Sequence, residues 1–156
     1  MSDSNIKSIM RFFPLGIVVI TTKWSDNLVG MTVNTFNSLS LNPPLVMFSA
    51  DKTKGNDIPF RESSGFVVNF IDNKQIFDTF AFRPVKERFK EVKFFEGING
   101  YPILSESYAY IEAKKYGVYD IGDHAIIVGE VINAKIVRDN FEPLVYYNRD
   151  YWKLRK

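Results

Sequence analysis

The sequence has no cysteine and a single histidine, His124. The first absence rules out disulfides, thiol catalysis and thiolate-ligated zinc or iron–sulfur centres. The second leaves no partner for a histidine-based site, so no metal centre is expected. Nothing supports a nucleophilic triad either. No run approaches the roughly 20 apolar residues of a membrane helix. The start, Met1-Ser2-Asp3-Ser4-Asn5, lacks the basic-then-apolar pattern of a secretory leader, and a cytoplasmic protein is expected. There is no G-x-G-x-x-G and no strand–glycine-loop–helix unit, so any nucleotide must bind in a non-Rossmann manner. Repeats, low-complexity tracts and linkers are missing too, and residues 1–156 read as one domain. Net charge is only +2. Its basic residues are dispersed, which argues against a nucleic-acid partner. Arg149, Lys153, Arg155 and Lys156 are the exception, a basic cluster that could contact an anion.

Aromatics are plentiful, with fourteen Phe, eight Tyr and two Trp, and with the β-branched residues they favour sheet. Ser4 is positioned to cap a short helix whose apolar stripe is Ile6, Ile9, Met10 and Phe13. Pro14 and Gly16 stop it. Residues 17–24 and 28–37 read as a hairpin turning at Ser25-Asp26-Asn27. Pro43-Pro44 breaks the chain before a strand at residues 45–49, and a short helix follows at residues 57–62. Residues 65–70 form another strand. Asp72 and Gln75 are spaced as a capping box opening a helix through Phe82, with Ile76, Phe77, Phe80 and Ala81 buried. Pro84 starts one more turn at residues 85–89. Strands are expected at 109–120, 124–137, 144–147 and 151–154. Six to eight strands joined mostly as hairpins, with a few short helices, make a closed or nearly closed antiparallel barrel.

One segment is unusual: Gly30-Met31-Thr32-Val33-Asn34-Thr35-Phe36-Asn37-Ser38-Leu39-Ser40-Leu41, read as one polar strand. It is crowded with short donors and acceptors yet carries no charge. Such a strand suits the wall of a site for a flat, polar-edged ligand; an edge strand facing water has the same composition. The loop Ser49-Ala50-Asp51-Lys52-Thr53 offers amides, hydroxyls and a lysine to an anion, provided Asp51 points away. Arg88 is either a phosphate fork or a surface ion-pair partner. His124 lies in a second unusual segment, Gly122-Asp123-His124-Ala125-Ile126.

In order along the chain come Arg11-Phe12-Phe13-Pro14-Leu15-Gly16, the polar strand, Pro43-Pro44-Leu45-Val46, Gly65-Phe66-Val67-Val68-Asn69-Phe70, Gly122-Asp123-His124 and Pro143-Leu144-Val145-Tyr146-Tyr147. This ordered set, covering nearly the whole chain, resembles the flavin reductase family. The resemblance implies a mainly β, antiparallel split β-barrel of Greek-key, FMN-binding type. It implies hydride transfer from NADH or NADPH to FMN or FAD, with both choices open. It further implies a homodimer, and reductase components of two-component monooxygenases are the nearest relatives, so a separate oxygenase hydroxylating a phenol such as 4-hydroxyphenylacetate would receive reduced flavin.

By the same resemblance the flavin contacts are Thr32, Val33, Asn34, Thr35, Ser38 and Ser40, then Ser49, Ala50, Asp51, Lys52 and Thr53 at the phosphate, with Phe82 and Arg88. Pro14, Gly16, Gly122, His124, Tyr146 and Tyr147 border the flavin or the nicotinamide. His124 would position the nicotinamide or stabilise charge on the reduced ring, and Asp123 either fixes its tautomer or makes the turn. Many members have Thr where this chain has Leu15. Strand alternation allows at most one of Tyr146 and Tyr147 to face the site. Three rivals stand beside this reading: an FMN-holding electron carrier, a ferric reductase using the same flavin site, and a small-barrel binding module.

Overall fold

In the computed structural model, which describes residues 3–156, helix α1 (Asp3–Met10) leads into strands β1 (Val18–Trp24) and β2 (Asn27–Val33). Their hairpin turns at Ser25 and Asp26, with φ of 48° and 64°, the left-handed pair that a two-residue turn demands. Strands β3 (Asn37–Leu41) and β4 (Pro44–Asp51) follow, then α2 (Ile58–Glu62), β5 (Gly65–Phe70), α3 (Lys74–Phe82) and a 3-10 helix at Val85–Glu91. After the short strands β6 (Phe94–Glu96) and β7 (Pro102–Leu104) come the long strands β8 (Ala109–Ile121) and β9 (His124–Ile136). The hairpin of β10 (Leu144–Tyr147) and β11 (Asp150–Lys153) is the last element.

Seven strands form one antiparallel sheet in the order β2-β1-β5-β8-β9-β4-β3. Two strands separate β4 from β5 in that order. Even so, the Phe48 ring on β4 lies 5.0 Å from the Phe66 ring on β5, edge to face. The sheet therefore curls around a shared interior, a barrel split between its edge strands β2 and β3. Phe48, Phe60, Phe66 and Ile20 are almost wholly removed from water in that interior, each contributing roughly 1.5–3 kcal/mol.

A second apolar layer lies outside the barrel, where Ile76, Phe77 and Phe80 of α3 pack with Val19 and Leu104. Gly30 permits this approach, since a Cβ there would meet the Phe80 ring at 2.6 Å. The short strand β7 is fastened by a buried polar hub. Asn69 Oδ1 accepts from Leu104 N at 2.9 Å, and Thr21 Oγ1 donates to Pro102 O at 2.6 Å.

The structure revises several expectations. The polar segment is not one strand: β2 ends at Val33 and β3 begins at Asn37. These strands lie on opposite edges of the sheet, so residues 34–36 must leave the ladder to cross the split. Ser4 lies within α1 rather than capping it, and the stripe Ile6, Ile9, Met10 and Phe13 is exposed. The cap of α3 is Asn73, whose side chain accepts from Gln75 N at 2.9 Å. Strands β6 and β7 were not anticipated, because three-residue strands leave almost no periodicity to read.

Asp72 instead accepts from Arg138 Nη2 at 2.7 Å and Nη1 at 3.2 Å, tying the chain beyond β9 to the start of α3. The Arg138 hydrogen bonds hold its carboxyl below the ordinary aspartate range. A depressed folded-state pKa contributes stability above the unfolded value, about 3.9, and loses it as pH falls through the folded value. Asp72→Asn is therefore expected to be less stable than the parent in urea at pH 7. That gap should shrink progressively below about pH 4.

Candidate functional site

The split opens onto a cavity of about 300 Å³. Its floor is the end of β2 and the crossing segment, bringing in Thr32, Val33, Asn34 and Thr35. One side is the end of β4, with Ser49, Ala50 and Asp51. Phe82 at the end of α3, His124 at the start of β9 and Tyr146 on β10 complete the predicted residues that line it. Met31, Asn56 and Tyr151 also line it, and sequence reasoning had not singled them out.

Side chains hold this geometry where the ladder cannot. Thr35 Oγ1 donates to Ser49 O and accepts from Ser49 N, both at 3.0 Å. The hydroxyl thus substitutes for a strand partner as the chain crosses the split. Thr32 Oγ1 donates to Phe77 O at 2.7 Å, joining β2 to α3. Leu15 and Tyr146 exchange main-chain bonds of 3.0 and 2.8 Å, closing residues 14–16 onto β10. Leu15 fills an apolar role there, and its contact to Tyr146 runs through the backbone. Both threonine protons are consumed by carbonyls. The side chains of Asn34, Ser49 and Asn56 have no hydrogen-bond partner among the described residues, so a polar-edged ligand would find its side-chain donors there.

Asp51, which lines the cavity, is engaged locally; the remaining predicted residues sit around the cavity without lining it. Asp51 turns back on its own loop, accepting from Thr53 Oγ1 at 2.6 Å and Thr53 N at 2.8 Å. Those bonds, the hydroxyl's first, lower its pKa. Lys52 N donates to Asp123 O at 2.9 Å, and its Nζ lies 3.5 Å from Asp120. Arg88 donates from Nε to Arg83 O at 2.9 Å and from Nη1 to Gly30 O at 2.8 Å. It bolts the 3-10 helix to β2, and partial burial lowers its pKa. Ser38 and Ser40 lie along β3. Pro14 is exposed, and at Gly16 an added Cβ would meet nothing within 4 Å. Gly122, with φ of 59°, makes the turn between β8 and β9. Tyr147 packs on Phe12 and Trp152, while its neighbour Tyr146 lines the cavity.

His124 stands opposite Asp51 in the β4–β9 register. Its Nδ1 lies 2.8 Å from Asp123 Oδ1. A carboxylate only accepts, so the hydrogen is on Nδ1, and Nε2 is left for a ligand. No group of metal-ligating side chains forms among the described residues. Tyr151 stacks on Phe77, with centroids 5.5 Å apart. Burial first, then the neighbouring Asp78 carboxylate, pushes its phenol far above the ordinary range. It stays a neutral donor at any working pH. Its signal was the hairpin itself, since Tyr146 and Tyr151 are cross-strand partners.

A second cavity, of about 630 Å³, shares Asn34, Thr35 and Tyr146 with the first. The two are neighbouring compartments of one cleft.

Residues 10–155 match the flavin reductase like domain. The chain is 66% identical to the flavin reductase HpaC, whose crystal structure is a complex with NADP+; the match covers 98% of each chain with a TM-score of 0.96. It is 35% identical over 154 residues to HsaB of Mycobacterium tuberculosis, the reductase subunit of a flavin-dependent monooxygenase, covering 93% of this chain and 79% of that one. It is 31% identical over 133 residues to the FMN reductase (NADH) SmoA of Agrobacterium fabrum, covering 85% and 76%.

Thr35→Val removes the hydroxyl that pairs both Ser49 main-chain groups while keeping the side-chain shape. It is expected to destabilise the protein by about 1–3 kcal/mol in urea titrations. Its affinity for flavin should fall as well.

Proposed function

The chain belongs to the flavin reductase family, and we propose that its reaction takes place in the cavity at the split, with FMN as the flavin. It is an NAD(P)H-dependent flavin reductase. When bound, the flavin supplies the hydride-accepting N5 and the nicotinamide supplies the hydride. The observation that carries the site assignment is the convergence of Asn34, Ser49, Asn56, His124 and Tyr146 on one cavity.

These residues suit the cofactor. An isoalloxazine ring needs polar partners along one edge and apolar surface on its faces. Asn34 and Ser49 offer the polar edge, while Met31, Ala81 and Phe82 offer apolar contact. Among the described residues the cavity has no charged base beyond Asp51, and hydride transfer asks for none. This chain's work is alignment, which fixes reactants in place before reaction. Asp123 orients the His124 ring, and Nε2 is then available to a polar group of the nicotinamide or the reduced ring. The loop at residues 49–53 takes the flavin phosphate through Lys52 and Thr53, once Lys52 exchanges Asp120 and Thr53 exchanges Asp51 for the anion.

By likeness to HsaB, a monooxygenase reductase subunit, reduced flavin passes to a separate oxygenase; an aromatic substrate for that oxygenase and a cytoplasmic location are part of the proposal. A homodimer is the working unit. Support comes from exposed apolar side chains on α1 and along β8 and β9, among them Ile9 at 70% exposure, Ile121 at 60% and Ile136 at 72%. Such surface marks an interaction site, and sedimentation at micromolar concentration should give about twice the 18.0 kDa chain mass.

The decisive assay is anaerobic. With FMN in excess over protein, NADH or NADPH should bleach the flavin band near 450 nm catalytically. Tight flavin binding without bleaching would indicate an electron carrier instead. His124→Ala is expected to lower kcat/KM for the nucleotide by at least about tenfold, the loss of one well-placed hydrogen bond. FMN affinity should change little.

A further inference from the structure

We infer that Asp120 sets the protein's affinity for a phosphate-bearing flavin, by competing with the phosphate for the cations beside the cavity at the split. The inference rests on the reductase reading above, and Asp120 itself is not among the residues that line the cavity. Its place follows from the register. Ala50 on β4 lines the cavity and stands opposite Ala125 on β9, which stands opposite Asp120 on β8. The Asp120 carboxylate is therefore one strand across from the loop proposed for the phosphate. There it gathers two cations. Arg61 of α2 donates from Nη2 to Oδ1 at 2.5 Å and from Nη1 to Oδ2 at 3.3 Å, and Lys52 Nζ lies 3.5 Å from Oδ1.

An arginine fork and a lysine converging on one anion is a pattern by which proteins hold phosphate. In this chain a carboxylate occupies that place. The loop satisfies itself in other ways too. Asp51 takes the Thr53 hydroxyl and amide, Asn56 N donates to Asp51 O, and Gly55 N donates to Lys52 O. A phosphate must therefore exchange for internal partners rather than fill an open cradle. The two carboxylates on Arg61 differ in kind. Asp57, just before α2, is buried and holds Arg61 Nε at 3.1 Å, a tie within the fold. Asp120 has about half of its side chain in water, and exposed ion pairs contribute little to folding. The Arg61 hydrogen bonds hold its carboxyl below the ordinary aspartate range, so it carries a full negative charge at neutral pH. That charge is dispensable to the fold but not to a dianion arriving beside it. An anion that takes Lys52 back as flavin departs favours release, which suits a reductase that hands its product on.

FMN and riboflavin share the ring and the ribityl chain and differ by the phosphate, so the pair isolates this effect. Each is titrated, by quenching of flavin fluorescence, against wild type, Asp120→Asn, Asp120→Glu, Lys52→Gln and the Lys52→Gln/Asp120→Asn double variant. Asp120→Asn should bind FMN about fivefold more tightly than wild type, with riboflavin affinity unchanged. Asp120→Glu keeps the charge and should stay near wild type. Lys52→Gln should weaken FMN binding, and Asp120→Asn should gain less in that background, as groups that share a partner are coupled. FMN affinity unchanged or weakened in Asp120→Asn, or FMN and riboflavin tightened equally, overturns the inference. So does absence of FMN binding by wild type. Urea titration should place the midpoint of Asp120→Asn near that of wild type, and Asp120→Ser repeats the comparison should the amide disturb the fold. Catalytic bleaching of FMN by NADH or NADPH is measured alongside on wild type: its absence sinks the reductase reading, and the FMN-to-riboflavin ratio still judges Asp120.

Discussion

A sheet that curls into a barrel without closing leaves two edges with unpaired main-chain groups. In this protein those edges belong to consecutive strands, β2 and β3, so one short segment must bridge them. The Thr35 hydroxyl resolves the conflict by pairing with both main-chain groups of Ser49. The gap stays open, and at its rim Ser49 on β4, beyond the end of its pairing with β3, keeps partners for both main-chain groups. Every element of the cleft is then placed relative to that rim: α3 through Thr32, the 3-10 helix through Arg88, and the 14–16 segment through Tyr146.

The chemistry follows from the same geometry. The cavity is lined by short polar groups and aromatics, with one imidazole oriented by its neighbour Asp123. A site built this way suits the proposed reaction, in which two flat rings are aligned and bond-making is left to them. Its second compartment differs in kind. It brings three cations, Lys7, Arg11 and Arg149, together with apolar walls.

The barrel was legible because period-2 alternation and turn residues mark long strands well, and residues 65–70 and 144–147 match their strands end to end. The crossing at residues 34–36 was not, since Asn, Thr and Phe continue the local strand pattern and only the global edge order interrupts it. Asp72 shows a related limit. Its spacing to Gln75 fits a capping box, but a distant arginine competes for the carboxylate, and sequence spacing carries no information about residue 138. Of the candidate site, residues at the ends of β2, β4 and α3, in the crossing segment, at the start of β9 and on β10 came together in one cavity. Asn56 was unreadable because its proximity arises from closure of the barrel, whereas Tyr151 was within reach of its hairpin pairing with Tyr146. Thr53 and Arg88 have the right chemistry for an anion, yet local bonds already engage them.

The ties that shape the cleft share a grammar. Thr32, Thr35, Thr21 and Arg88 each reach a main-chain carbonyl rather than another side chain. A carbonyl is present whatever residue supplies it. The tie itself therefore places no demand on the acceptor's side chain, and no matched second change is needed to keep it, although Gly30 is held by its contact with Phe80. The constraint falls on one partner only, so variation among related chains should be lopsided: tolerant at Phe77, Ser49 and Pro102 as acceptors, strict at the donors facing them.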